Sequence, residues 1–240
     1  MIYRETPTRA AIKATTWRFF GTLATAILVW IVTGRWQVAL AVGGIEAVSK
    51  IALYYFHERI WNKISYGRKP VPSMVIWFTG LSGAGKTTVA DLVGDDLQKR
   101  GYKIERLDGD LIRKVFPQTG FTREERNEHV KRVGFLASRL EQHGVIALVS
   151  LISPYAESRD FVRGLCSNFF EIHVSTPYDV CEKRDTKGLY AKARSGELRG
   201  FTGKDAPYEA PLKAELVVDA SGVTPEKTAQ IVLKKLKKLL

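Results

Sequence analysis

Cysteine is scarce in this chain of 240 residues, which contains only Cys166 and Cys181. Two thiols can build neither a disulfide framework nor a four-ligand zinc site. They also lie too far apart in the sequence for a CxxC redox motif. A small disulfide-rich scaffold and a zinc domain are therefore excluded, and a reducing compartment is predicted.

Acidic side chains are scarce in residues 1–70, where Glu5, Glu46 and Glu58 stand against ten lysines and arginines. This segment carries more than half of the net charge of +12. It is also the most apolar part of the chain. Positive charge beside apolar runs is typical of membrane segments rather than of nucleic-acid binding. We therefore expect no nucleic-acid partner.

Two long apolar runs lie close to the N-terminus. Residues 19–34 contain no charged side chain, and residues 36–56 are apolar apart from a few positions. A membrane-spanning helix needs about 20 mainly apolar residues. Basic residues flank both outer ends of the pair, and only Arg35 lies between the runs. By the positive-inside rule both ends lie in the cytoplasm.

The pattern predicts an all-α membrane hairpin over residues 1–66, with helices near 17–34 and 36–58. The expected location is the inner (cytoplasmic) membrane, with the rest of the chain facing the cytoplasm. A signal peptide fits less well, because no small-residue cleavage site follows. A soluble helix pair, or a pair lying in the membrane plane, stays open because Glu46 and Lys50 can pair on one helix face.

The polar stretch 67–73 contains one glycine and two prolines and is predicted to be a linker. A phosphate-binding loop follows it. Met74–Thr79 is an apolar run of the buried-strand type, and Gly80–Thr87 fits the motif G-x-x-x-x-G-K-[ST]. The next residues have apolar side chains at helical spacing. Strand, loop and helix together are the context that this motif needs.

The residue types of the loop explain its expected chemistry. Its glycines let the backbone N–H groups surround phosphate oxygens at the start of a helix. Lys86 is expected to neutralise the terminal phosphates, and Thr87 to hold Mg²⁺. The sequence therefore predicts binding of a nucleoside triphosphate with magnesium. The expected nucleotide-binding residues are Gly80, Ser82, Gly83, Ala84, Gly85, Lys86, Thr87 and Thr88.

Two carboxylates follow the second predicted strand, at Asp108 and Asp110. Acidic groups at the carboxyl end of a strand face the ligand crevice of an open α/β sheet. There they can hold the water shell of the metal or accept a hydroxyl proton, although a plain Asp-Gly turn is the alternative. Further strands near 145–151, 169–175 and 215–219 alternate with helices. Residues 74–240 are thus predicted to form a parallel doubly wound sheet.

From about Val75 to Leu236 the chain resembles the adenylyl-sulfate kinase (APS kinase) family. The shared segments are FTGLSGAGKTT, LDGDLIR, GFTREER, VSLISPYAESRD and KRDTKGLYAKARSGELRGFTGKDAPYEAP. The resemblance implies a P-loop kinase that transfers the γ-phosphate of ATP to the 3′-hydroxyl of adenosine 5′-phosphosulfate (APS). The family is commonly dimeric, which implies a homodimer. Residues 8–64 resemble a small family of predicted membrane domains.

The resemblance also implies roles for single residues. Lys86, Asp108 and Asp110 are the expected catalytic residues. Asp110 would receive the 3′-hydroxyl proton, and Asp108 would lie with Thr87 at the Mg²⁺. The expected substrate contacts are Arg113, Phe121, Arg126, His129, Ile152, Ser153, Lys187 and Phe201. Arginine suits a phosphosulfate group, phenylalanine suits the adenine ring, and Lys187 belongs to a basic, glycine-containing segment expected to be a lid.

Three features depart from the family pattern. His129 stands where the family has asparagine, the stretch 114–120 is about one residue shorter, and Thr186 replaces a proline. All three lie on the acceptor side. A kinase for a related nucleotide-activated anion is therefore an alternative, as is a membrane sensor or scaffold that only binds nucleotide.

Overall fold

The computed structural model describes residues 3–32, 36–116, 120–198 and 200–240. Apart from the first two residues, the chain divides into two compact units, Tyr3–Val71 and Pro72–Leu240. Cys166 and Cys181 are free thiols.

The first unit consists of two long helices and a two-stranded sheet, whose strands come before the first helix and after the second. Helix α1 spans Pro7–Val32 and helix α2 spans Trp36–Lys63. Strands β1 (Tyr3–Glu5) and β2 (Arg68–Pro70) are antiparallel. The helices therefore extend beyond the predicted ranges, mainly at the start of α1 and the end of α2. Part of the predicted linker is strand β2.

Polar contacts join the start of α1 to the end of α2. The buried guanidinium of Arg9 donates to the carbonyls of Trp61 at 2.6 Å and Ile64 at 2.8 Å, which lie where α2 ends. Carbonyls at a helix C-terminus lack partners within the helix, so a cation there is favoured twice, by hydrogen bonding and by the helix dipole. Lys13 adds an ion pair with Glu58 at 3.0 Å. These contacts explain why helix α1 begins at Pro7, ten residues before its predicted start near residue 17.

Across the part of the chain that the structure describes, no helix combines the length and the apolarity of a membrane span. The structure thus supports the helix pair but not its prediction as a membrane-spanning hairpin. The predicted pairing of Glu46 with Lys50 lies outside the described side chains.

The second unit contains a five-stranded sheet with all strands parallel. Its strands are β3 (Val75–Thr79), β4 (Ile104–Asp108), β5 (Ile146–Ser150), β6 (Phe169–Val174) and β7 (Leu216–Val218), in the order β4-β5-β3-β6-β7. The helices are α3 (Lys86–Lys99), α4 (Gly109–Val115), α5 (Arg123–Gln142), α6 (Ala156–Leu165), α7 (Tyr178–Arg184), α8 (Leu189–Arg194) and α9 (Pro225–Leu236). The predicted parallel α/β sheet is confirmed.

Two hydrophobic cores lie on opposite faces of strand β3, which is buried at all five positions. Ile76 and Phe78 belong to the core that includes α3 and α9, whereas Val75 and Trp77 belong to the core that includes α5 and α6. Successive side chains of a strand point to opposite faces, so this central strand reads as an unbroken apolar run.

The central strand has β5 on one side and β6 on the other. In such a sheet the connections leave in opposite directions, and a crevice opens at the carboxyl ends of the strands. The phosphate-binding loop and the Asp108–Asp110 segment both start at this edge.

Candidate active site

A cleft of about 1000 Å³ opens at the carboxyl ends of the strands, entirely within the second unit. Its walls are the loop before α3, the starts of α4 and α5, the loop after β5, and segments near residues 186 and 201. All predicted site residues line this cleft except Gly80 and Ala84. The sequence thus identified most of the residues that come together in the cleft.

Gly80 and Ala84 shape the loop from behind. Gly80 has φ +148°, and a Cβ atom there would lie 2.5 Å from the carbonyl oxygen of Val174. Ala84 is fully buried, and its carbonyl accepts a hydrogen bond from Thr176 at 2.9 Å. Gly85 has φ +98° immediately before helix α3. These positions need a small residue or a left-handed backbone, so the motif's spacing sets the loop's shape.

Lys86 begins helix α3 and is almost fully buried. Its Nζ donates to the carbonyl of Leu81 at 2.8 Å, within the same loop. Burial, reinforced by the positive charge of Lys187, lowers the pKa of Lys86 to about 8. Keeping an ammonium group charged in a desolvated position costs free energy. A bound anion would offset that cost, so the group attracts phosphate oxygens strongly.

Thr87 and Asp108 present oxygen atoms side by side. The Thr87 hydroxyl donates to Oδ2 of Asp108 at 3.1 Å. The other oxygen, Oδ1, accepts the backbone N–H groups of Asp110 at 2.9 Å and Leu111 at 3.3 Å, and so caps helix α4. A hydroxyl and a carboxylate next to a phosphate loop are ligands that Mg²⁺ prefers, with phosphate and water completing the shell. The residues present therefore fit this ion.

Asp110 forms an ion pair with Lys187. The two side chains are more than half exposed. Asp110 also acts electrostatically on Lys86 and on Arg113. Its carboxylate thus lies between the phosphate loop and the arginine end of the cleft.

The second end of the cleft contains two arginines. The Arg113 guanidinium lies 4.6 Å from the ring centre of Phe121 and donates to the carbonyl of Gly120 at 3.1 Å. Arg126 is buried and donates to the Thr202 hydroxyl and the Gly200 carbonyl, each at 2.5 Å. Helix α5 holds Arg126 in place, because a Thr122–Glu125 capping box fixes its start.

The two phenylalanines differ in environment. Phe121 is 61% exposed, whereas Phe201 is buried and meets the ring of Tyr190 edge-on, with ring centres 4.8 Å apart. Phe121 is therefore the ring with a free face in the cleft. Residues 117–119 of the shortened stretch lie outside the described residues.

His129 is 1% exposed, and neither ring nitrogen has a hydrogen-bond partner. Burial first, then the positive charge of Arg113, lowers its pKa to about 4. The Gly109 backbone favours the charged form but does not reach hydrogen-bond geometry. The imidazole is thus neutral at physiological pH.

Sequence reasoning missed Arg184, which lines the cleft at the end of α7. Its guanidinium donates to the carbonyls of Gly83 at 3.4 Å and Ala220 at 2.6 Å, joining the phosphate loop to the chain after β7. Val223 and Pro225 also line the cleft. Arg184 stands directly before the Asp-Thr-Lys segment that the sequence had singled out, and that position was the available signal.

Comparison with known proteins agrees with this geometry. The family model described as adenylylsulphate kinase matches residues 72–219, and one described as a predicted membrane protein matches residues 11–62. The adenylyl-sulfate kinase of Rippkaea orientalis is 47% identical over 167 residues, which are 69% of this chain and 92% of that protein. The probable adenylyl-sulfate kinase of Pyrococcus abyssi is 50% identical over 165 residues, 68% of this chain and 95% of that protein.

Solved structures agree as well. The Mycobacterium tuberculosis APS kinase, solved in complex with AMPPNP and APS, has a TM-score of 0.67 at 40% identity and covers 69% of this chain and 98% of its own. Residues 72–219, which the family model matches, contain all five strands of the parallel sheet, the phosphate loop and most of the cleft. Through this second unit, the chain belongs to the adenylyl-sulfate kinase family of transferases.

Proposed function

We propose that this chain transfers the γ-phosphate of ATP to the 3′-hydroxyl of APS, forming 3′-phosphoadenylyl sulfate and ADP. The observation that carries the proposal is the order of groups in the cleft. A phosphate-binding lysine lies at one end, two arginines and an exposed phenylalanine lie at the other, and Asp110 acts on both.

The nucleotide end binds and orients ATP. Backbone N–H groups of the loop and the ammonium group of Lys86 hold the β- and γ-phosphates. Thr87 and Asp108 would hold Mg²⁺, which, when bound, neutralises charge on the phosphate oxygens. Phosphoryl transfer needs mainly such positioning and charge neutralisation, so few protein groups have to react.

The acceptor end positions the hydroxyl group. Arg113 and Arg126 suit an anionic phosphosulfate, because a guanidinium donates two parallel hydrogen bonds. Phe121 offers its free face to adenine. The 3′-oxygen attacks the γ-phosphorus, its proton passes to the Asp110 carboxylate, and the bond to the β,γ-bridging oxygen breaks to release ADP. For this step Asp110 has to exchange its ion pair with Lys187 for the hydroxyl group.

The test is ADP release by the full chain with MgATP, with and without APS, together with mass analysis of the nucleotide product. We expect APS-dependent release and a product heavier than APS by one phosphate. Asp110→Ala should abolish both, whereas Asp160→Ala, an exposed aspartate on helix α6, should leave them unchanged. An equal rate of ADP release with and without APS would overturn the proposal.

A related nucleotide-activated anion is the second candidate acceptor. His129 favours it, because a buried neutral imidazole replaces the family's asparagine beside Arg113. Competition between APS and other nucleotide-linked anions in the same assay distinguishes the two. Turnover of another anion without turnover of APS would favour this candidate.

We also propose that the first unit attaches the kinase to the inner membrane, with the kinase unit in the cytoplasm. The match of residues 11–62 to a family of predicted membrane proteins supports it. So do large exposed apolar side chains on both helices, among them Phe19, Ile31, Phe56 and Ile60. The full chain should sediment with membranes, and replacing these four residues by serine should weaken that. A full chain that stays in the supernatant without detergent would contradict the proposal.

The homodimer that the family resemblance implies stays a prediction.

A further inference from the structure

The loop Ile152–Pro154, which follows β5 and lines the acceptor side of the cleft, has a strained backbone. Ser153 has φ +39°, in the left-handed region that residues other than glycine rarely adopt. It is also 2% exposed. Such a conformation costs free energy and persists only where the surroundings hold it.

A chain of hydroxyl groups holds this loop from behind. The Thr79 hydroxyl donates to the carbonyl of Ile152 at 2.7 Å and accepts from the Ser153 hydroxyl at 2.9 Å. Trp77 Nε1 donates to the Ser153 oxygen at 3.0 Å. The Tyr208 hydroxyl lies 3.0 Å from the Thr79 oxygen.

The direction of every hydrogen bond in this chain follows from the donor count. An indole N–H can only donate, so Ser153 accepts from Trp77 and sends its own proton to Thr79. Thr79 has one proton, which goes to the Ile152 carbonyl. Tyr208 must therefore donate to Thr79. Burial raises the pKa of Tyr208 to about 12, so the phenol keeps the proton that this arrangement needs.

A second set of contacts ties the same loop to the segment around Tyr208. Arg159 donates to the carbonyls of Ser153 and Glu209, each at 2.6 Å. The Glu209 N–H donates to the Pro154 carbonyl at 2.7 Å. Glu171 in turn forms a buried ion pair with Arg159 at 3.0 Å. The segment near Tyr208 thus lies behind the loop and braces it.

We propose that Thr79 and Tyr208 are positioning residues for the acceptor substrate, a role that rests on the proposed function. Neither residue lines the cleft. Each acts through the backbone of Ile152 and Ser153, which do line it. Thr79 also directly precedes the phosphate loop, so one hydroxyl sets the acceptor loop relative to the nucleotide loop.

The test compares Thr79→Val and Tyr208→Phe, which remove only the hydroxyl functions, with wild type. Tyr208→Phe loses one hydrogen bond of this chain and Thr79→Val loses three. Because these losses loosen the acceptor loop, we expect KM for APS to rise about tenfold. We expect kcat and KM for ATP to change by less than about twofold. Thr79→Ser keeps the hydroxyl, and its KM for APS should equal that of wild type. Tyr102→Phe removes a tyrosine hydroxyl near α3, remote from the loop, and should have no effect.

A second readout does not depend on the substrate. Amide hydrogen exchange in residues 151–156 should be faster in Thr79→Val and Tyr208→Phe than in wild type and in Tyr102→Phe. Unchanged exchange, or an equal loss of kcat and kcat/KM for both substrates, would overturn the positioning role. If wild type does not turn over APS but amide exchange still changes in the variants, the proposed function fails. The role of Thr79 and Tyr208 in holding the loop Ile152–Pro154 is then retained. The same variants then test KM for the acceptor that is turned over.

Discussion

The ammonium group of Lys187 and the carboxylate of Asp110 are joined by an ion pair in the middle of the cleft. Lys187 also lowers the pKa of Lys86 through its charge. The three side chains therefore share one electrostatic site. Phosphate groups bound at Lys86 would compete with Asp110 for Lys187, and the carboxylate would become available to the acceptor hydroxyl.

This competition predicts a catalytic loss when Lys187 is replaced. Lys187→Met should lower kcat/KM for ATP at least about tenfold, because a cation beside the phosphates is lost while Asp110 remains. Lys192→Met, an exposed lysine on helix α8, is the matched control and should behave as wild type. Equal activity of the two variants would contradict the role of the Lys187–Asp110 pair. Steady-state kinetics at varied ATP measures both.

Lys86 predicts how stability depends on pH without nucleotide. The pKa of Lys86 is about 8 in the folded chain, whereas an exposed lysine has a pKa of 10.5. Between these values the unfolded state binds more protons, so this group makes stability rise with pH. The cost of the buried charge is complete below pH 8 and absent above pH 10.5.

Lys86→Met should therefore melt at a higher temperature than wild type at pH 7, and the difference should shrink as the pH rises to 10. Thermal unfolding at several pH values measures it. A constant difference between the two proteins would show that Lys86 is not charged and buried as described.

The buried ion pair between Arg159 and Glu171 predicts a stability loss. Both side chains are at most 5% exposed. Glu171→Gln leaves the guanidinium without this counter-charge, which costs about 3–5 kcal/mol of unfolding free energy. Urea unfolding measures it. Glu182→Gln breaks the ion pair with Arg194, which is far more exposed than the Arg159–Glu171 pair, and should cost less than about 1 kcal/mol. Similar losses of unfolding free energy in both variants would contradict the prediction that the buried ion pair matters more than the exposed one.

Gly134 predicts a packing requirement between α5 and α6. A Cβ atom at this position would collide with the side chain of Val162. Gly134→Ala should therefore destabilise the fold by about 1–3 kcal/mol. Gly164→Ala, where a Cβ atom meets nothing within 4 Å, should be neutral or slightly stabilising. Their difference in urea midpoint checks the prediction, and a stabilised Gly134→Ala would refute it.

The sequence predicted the parts of the fold whose causes are local. The phosphate loop is an example, since its glycines, its lysine and the flanking strand and helix are consecutive. The positions of the strands along the chain were readable for the same reason, because each buried run is bounded by turn residues.

Long-range partners could not be predicted in this way. The bond between Thr79 and Tyr208 depends on where the chain after α8 returns to the sheet, and no local pattern encodes that. The start of α1 was placed too late, because its polar first turns are held by Arg9 contacts with the end of α2. Strand β2 was taken for a linker, since its partner is the distant β1.

The strand order has a consequence for synthesis of the chain. The central strand β3 is flanked by β5 and β6, and β6 ends only at residue 174, whereas the first unit is complete at residue 71. At about 5–20 residues per second, roughly 5–20 s of translation separate these two points. The helix pair is thus ready to engage its surroundings while the kinase sheet still lacks a neighbour for its middle strand. The first unit is therefore complete in the growing chain before the active cleft can form.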